Sequence, residues 1–171
     1  RLVDIITADD VMDVIQQENT EDMERMAAMA PSEKPYLKTS PFALAKKRIV
    51  WLLVLMISAT FTGGIINGFQ EVLSSVVVLA AFIPMLMDTG GNCGSQSSTL
   101  VIRGLALGEI RPRDALRVLN KELAVSLLCG AALAAVNFGR ILLFEPQTGA
   151  AVALAVSLSL LVTVMVSKCL G

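Results

Sequence analysis

Asp88, Asn92, Gln96 and Thr99 follow one another at spacings of four, four and three. On a helix that spacing puts them on one face. They offer one carboxylate, two amides and a hydroxyl, all hard oxygen donors of the kind that suits Mg2+ or Ca2+ rather than soft metals. Mg2+ sheds water reluctantly, so a path for it would touch the hydrated ion through few direct ligands. One carboxylate flanked by amides fits that requirement. The same stretch, Pro84 to Thr99, holds Gly90, Gly91 and Gly94. Gly90-x-x-x-Gly94, extended by Ser98, would let a neighbouring helix backbone come close. Unwinding at Gly90-Gly91 would instead free carbonyls to face a cavity. Spacing alone leaves both arrangements open.

The surroundings of this stretch are apolar. Hydrophobic residues make up 54% of the 171-residue chain, aromatics 5% and charged residues 17%, against about 25% charged in an ordinary soluble domain. Mean hydropathy is +0.68. The expected class is an all-α, polytopic helical membrane protein with four spans in this chain, at about 49–66, 72–106, 119–143 and 148–170. The second begins with an apolar run, Val72 to Met87, too short to cross a bilayer core of about 20 residues, so the polar stretch must complete the crossing. Polar groups at that depth are tolerated where they face protein or a hydrated path. Other polar residues in the spans carry simpler expectations. Glu122 pairs with adjacent Lys121 or faces a pore, and Asn137 and the Ser159/Thr163/Ser167 row make interhelical hydrogen bonds.

Bases cluster before the first span (Lys46, Lys47, Arg48) and between the second and third (Arg103, Arg111, Arg113, Arg117, Lys121), and Lys168 closes the fourth. The intervening loops are almost free of bases. A multi-pass protein of the cell (inner or plasma) membrane with a cytoplasmic N-terminal region is expected. The chain starts at Arg1 without a signal peptide and stops at Gly171 directly after an apolar run, so a fragment of a longer protein is expected. Cys93, Cys129 and Cys169 are far apart and form neither a disulfide framework nor a zinc spacing. With no histidine, no nucleophile–base pair and no phosphate-binding loop, an enzyme is not expected.

The first 25 residues differ from the rest. Asp4, Asp9, Asp10, Asp13, Glu18, Glu21, Asp22 and Glu24 face only Arg1 and Arg25, a net of −6, whereas the remainder carries +5 of the overall −1. A short strand over Leu2–Ile6 is expected. A helix from Asp9 to about Met29 follows, begun by Thr7-Ala-Asp-Asp10 as a capping box. Pro31 to Pro35 is a linker, and Ser40-Pro41 is a helix start. Asp9 and Asp13, and Glu18 and Asp22, repel at i, i+4 unless cations screen them. A low-affinity divalent-cation sensor is one reading of this helix; a solvated acidic face is the other. No EF-hand spacing is present.

The run Pro84…Asp88-Thr-Gly-Gly-Asn92-Cys-Gly94-Ser-Gln96-Ser-Ser-Thr-Leu-Val-Ile-Arg103-Gly-Leu-Ala resembles the signature of MgtE magnesium channels and their eukaryotic solute-carrier relatives. Ile6-Thr-Ala-Asp-Asp10-Val-Met-Asp13-Val-Ile…Glu18-Asn-Thr-Glu21-Asp22 looks like the end of that family's second CBS domain and its connecting helix. The resemblance implies residues 1–30 as CBS end and acidic connecting helix, 31–48 as linker and plug helix, and 49–171 as the transmembrane domain. It implies a homodimer with five transmembrane helices per subunit, the fifth, which bears the family's filter aspartate, lying beyond Gly171. Mg2+ is then both transported and regulatory ion. Asp88, Gly91, Asn92 and Thr99 would line the pore, and Asp10, Asp13, Glu18, Glu21 and Asp22 would bind regulatory cations that hold the channel shut. The expected partners are a second copy and the lipid bilayer, with no nucleic acid and no small-molecule substrate other than a divalent cation. A cation-coupled exchanger and a non-conducting membrane sensor are the alternatives.

Overall fold

The computed structural model describes residues 5–31 and 36–171, apart from the side chain of Ser75. Among these residues six α-helices run in order: α1 (Ala8–Met26), α2 (Pro41–Gly68), α3 (Gln70–Ser75), α4 (Val78–Ala106), α5 (Ala115–Phe144) and α6 (Ala150–Leu170). No strand occurs among the described residues. The strand expected over Leu2–Ile6 lies largely outside them, and Ile5 and Ile6 are irregular. Of the Pro31–Pro35 linker, residues 32–35 lie outside the described residues as well.

The chain divides into two compact units, residues 1–65 and 66–171. In the first, α1 starts as expected. Thr7 Oγ1 accepts from the Asp10 N–H, and the Asp10 carboxylate accepts from the Thr7 N–H at 2.9 Å. The helix stops slightly early, at Met26, and Ala28 takes a left-handed φ of 53°. At α2, Ser40 Oγ accepts from the Ala43 N–H at 3.3 Å, satisfying a donor of the first turn, and Pro41 supplies a preset φ. Residues 41–48, the expected plug segment, and the first span form one unbroken helix. None of the residues of α2 is buried.

In the second unit, α6 packs against both α4 and α5. Phe82, Ile141, Ala153 and Val156 form its core, with Leu79, Met85, Phe138 and Val152 packed around them. The span expected from Val72 is broken into α3 and α4. Val76 leaves helical geometry (φ −131°, ψ 71°), at a Val76-Val77-Val78 run whose β-branched side chains lose rotamer freedom in a helix. At the other end of α4, Gly108 (φ 69°) follows the last turn, and the Ile110 N–H returns to the Gly104 carbonyl at 2.9 Å. A left-handed residue there closes off the terminal carbonyls, which glycine does without Cβ strain.

Among the described residues, three stretches are long and apolar enough to cross a bilayer: Pro41–Gly68, Pro112–Phe144 and Ala150–Leu170. Helix α4, at 29 residues, would extend about 43 Å, more than a hydrocarbon core of about 30 Å. Its polar stripe keeps it out of the apolar set, so four spans were expected and composition accounts for three.

Candidate functional site

Helix α4 is continuous from Val78 to Ala106, through Gly90 and Gly91. Of the two arrangements open to the sequence, the structure adopts the helical one. Two faces result. Gly90, Cys93, Ser97 and Gly104 are buried, whereas Asp88, Gly91, Asn92, Gln96 and Thr99 are all exposed. Ser97 is nine residues from Asp88, two and a half turns, and so lies on the opposite side of the helix. The expected pore residues therefore share one uncovered face, while α6 covers the other.

Small residues make the covered face possible. A Cβ on Gly90 would sit 2.9 Å from Thr163 Cγ2 and 3.0 Å from Ser167 Oγ, and one on Gly94 would sit 3.3 Å from the Ser167 carbonyl oxygen. Ser98 Oγ donates to the Gly171 carbonyl at 2.6 Å. The Gly90/Gly94/Ser98 row is thus the seam with α6. Gly91 has nothing within 4 Å of a Cβ position. Gly90→Leu is expected to destabilise the helical bundle by about 1–3 kcal/mol, the usual cost of overpacking. Gly91→Ala should leave unfolding unchanged or slightly delayed, alanine being the better helix former. Parallel unfolding titrations of the two variants check this; equal losses would contradict the assigned faces.

Deeper polar contacts tie the helices together. Asn137 of α5 donates through Nδ2 to Ser157 Oγ of α6 at 3.2 Å, both buried, the interhelical bond expected of Asn137. Arg140, in the last turns of α5, pairs with Glu145 at 3.2 Å, donates to Asn137 Oδ1 and lies 5.9 Å from the Phe82 ring centre. Of the Ser159/Thr163/Ser167 row, Thr163 and Ser167 face Gly90, while Ser159 is exposed.

Glu122 departs from its expected pairing with Lys121. Its Oε2 accepts from Ser97 Oγ of α4 at 2.7 Å and lies 4.0 Å from Lys168 Nζ of α6. Lys168, counted as a loop base from sequence, is 7% exposed. It is a buried partner instead, so the inside-positive pattern rests on the other bases. The signal for this cluster was present: two opposite charges within apolar helices, each expensive there without the other. Their separation in sequence hid the pairing. Ser97, Glu122 and Lys168 border a cavity of about 380 Å³ whose other walls are mainly apolar.

On α1 the five acidic candidates are not gathered into a pocket. Among the described residues no group of three or more acids, cysteines or histidines is placed to hold a metal. Asp10 is engaged at the helix start, and its hydrogen bonds from the Thr7 hydroxyl and N–H hold its carboxyl below the usual carboxylate value. Glu21 pairs with Arg25 one turn on. Asp13 and Glu18 are exposed and Asp22 is half-buried.

The polar face of α4 lies within a recognisable domain. Residues 83–171, just over half the chain, match the MgtE family, described as a divalent cation transporter. The chain is 42% identical over 141 residues to the magnesium transporter MgtE of Thermus thermophilus, covering 82% of this chain and 31% of that protein. It is 37% identical over 130 residues to the magnesium transporter MgtE of Bacillus subtilis and 31% identical over 130 residues to that of Enterococcus faecalis. Each of those matches covers 76% of this chain and 28% of the relative. The chain thus spans under a third of the length of the curated relatives it matches. A matching family domain of that extent, holding both the exposed stripe and its glycine seam, settles the classification: the chain belongs to the MgtE family of divalent cation transporters, which are membrane transporters and not enzymes.

Proposed function

We propose that this chain is membrane machinery of a Mg2+-selective channel, and that the exposed face of α4 lines its path. The observation that carries the proposal is the uncovered row Asp88, Asn92, Gln96 and Thr99, opposite the face sealed against α6. A carboxylate and two amides left open within an apolar bundle need a hydrated partner. A second copy would supply the facing wall, since a two-fold interface presents the same surface from both subunits. Two carboxylates would then attract a divalent ion, while the amides hydrogen-bond its retained water. Asp88 supplies the charge, Asn92 and Thr99 the polar lining, and Gly91 room for the hydration shell.

Closure is assigned to α1, on the cytoplasmic side. Asp13, Glu18, Glu21 and Asp22 would bind Mg2+ together with a second acidic surface, and Asp10 would add charge at the helix start. Bound cations let the two surfaces approach; their loss drives the surfaces apart. The names of the relatives and the family description support magnesium as the ion.

The test is Mg2+ entry into liposomes carrying the full-length protein, followed by a trapped indicator under an imposed membrane potential. Entry without any counter-ion supports a channel. Entry that requires Na+ or H+ on the opposite side would replace it with an exchanger, and no entry would leave a non-conducting sensor.

A further inference from the structure

We propose that Ser97, Glu122 and Lys168 form a polar clamp that fixes the rotation and height of α4 and so aims its exposed stripe; the functional part rests on the channel reading above. The clamp takes one side chain from each of three helices. Ser97 of α4 is 1% exposed, Lys168 of α6 7%, and the Glu122 side chain of α5 15%. Glu122 Oε2 accepts from Ser97 Oγ at 2.7 Å and faces Lys168 Nζ at 4.0 Å. One carboxylate oxygen therefore joins α4 to a charge pair between α5 and α6.

The glycine seam sets how closely α4 approaches α6, since a Cβ at Gly90 or Gly94 would crowd Thr163 or Ser167. A shift of one residue would bring Thr89 or Ser95 into that seam, so the clamp acts together with the packing. Such a shift moves α4 by about 1.5 Å and turns it by about 100°. It would carry Asp88 and Asn92 off their common direction. It would also carry the Ser97 hydroxyl away from the Glu122 oxygen. The Glu122 carboxylate then loses a charge-assisted hydrogen bond. Buried polar groups can select one arrangement among several of similar packing. Ser97, Glu122 and Lys168 are positioning residues in this account, acting on the path through the α4 backbone.

Cys93 reports the register independently of transport. It is 7% exposed and lies one turn from Ser97 on the same face. In a Cys129→Ala/Cys169→Ala background of the full-length protein in liposomes, Cys93 reacts slowly with a membrane-permeant maleimide. Ser97→Ala and Glu122→Gln should raise its labelling rate about tenfold, a shift typical of coupled two-state elements, and lower the Mg2+ over Ca2+ flux ratio. Glu122→Met/Lys168→Met guards against misfolding. With no charge left unpaired the bundle stays folded, yet Cys93 should still label faster. Unchanged labelling in all three folded variants overturns the clamp. Faster labelling with an unchanged flux ratio upholds the clamp and overturns the assignment of the stripe to the path.

Discussion

Asp88→Ala combined with Asn92→Ala is expected to abolish Mg2+ flux, or to leave a path that no longer prefers Mg2+, while assembly is untouched. Both side chains are exposed on the face of α4 away from α6. Their removal therefore leaves the Gly90/Gly94/Ser98 seam and the Phe82–Ile141–Val156 core intact. Flux, by contrast, loses its carboxylate. In a site of intermediate polarity, a unit charge about 4 Å from an ion is worth several kcal/mol, and a divalent ion doubles that. A loss of at least about a hundredfold follows even after heavy screening, since each 1.4 kcal/mol is tenfold. Liposome flux measured beside size-exclusion elution checks both halves. Normal flux and selectivity in a normally eluting double variant would refute the assignment.

The second large effect concerns closure. Glu18→Gln, Glu21→Gln and Asp22→Asn together should give a channel that stays open at cytoplasmic Mg2+ concentrations that shut the parent. All three lie within little more than one turn of α1, and Glu18 and Asp22 form a like-charge pair at i, i+4. Neutralising them removes the carboxylates through which a bridging cation would hold the two surfaces together. The half-closing Mg2+ concentration should rise by about tenfold or more, a coupling of 1–3 kcal/mol. Asp10 is left out of this set because Thr7 already engages its carboxylate, and changing it would weaken the start of α1. Patch currents recorded while cytoplasmic Mg2+ is stepped provide the readout. Closure identical to the parent's would return α1 to an ordinary solvated acidic face.

The sequence carried the helical architecture well because its signals are local. Thr7 with Asp10 and Ser40 with Pro41 marked two helix starts that the structure retains, and apolar length marked α2, α5 and α6. Both faces of α4 were also legible, since Asp88/Asn92/Gln96 and Gly90/Gly94/Ser98 each repeat at helical spacing. Which face would be covered was not, because that depends on α6, more than fifty residues away in sequence. Distance also hid the partner of Glu122: Lys121 was adjacent, but neighbours in a helix point about 100° apart, and Lys168 reached the carboxylate from another helix. The break at Val76 was missed because hydrophobicity, the signal that marked the span, does not register the reduced helix preference of three successive valines. Whether Glu18, Glu21 and Asp22 bind cations remained outside local reading for a similar reason. Their arrangement on one helix, with no group of three ligands placed to hold a metal among the described residues, requires a second surface.

The most direct test of the central claim is to place single cysteines at Asn92, Gln96 and Thr99 in the Cys129→Ala/Cys169→Ala background of the full-length protein. Mg2+ current is then recorded before and after a charged, water-soluble thiol reagent. Block is expected at all three positions, slowed by Mg2+ in the path, with no block through buried native Cys93. Unaltered current after all three introduced cysteines had reacted would contradict it.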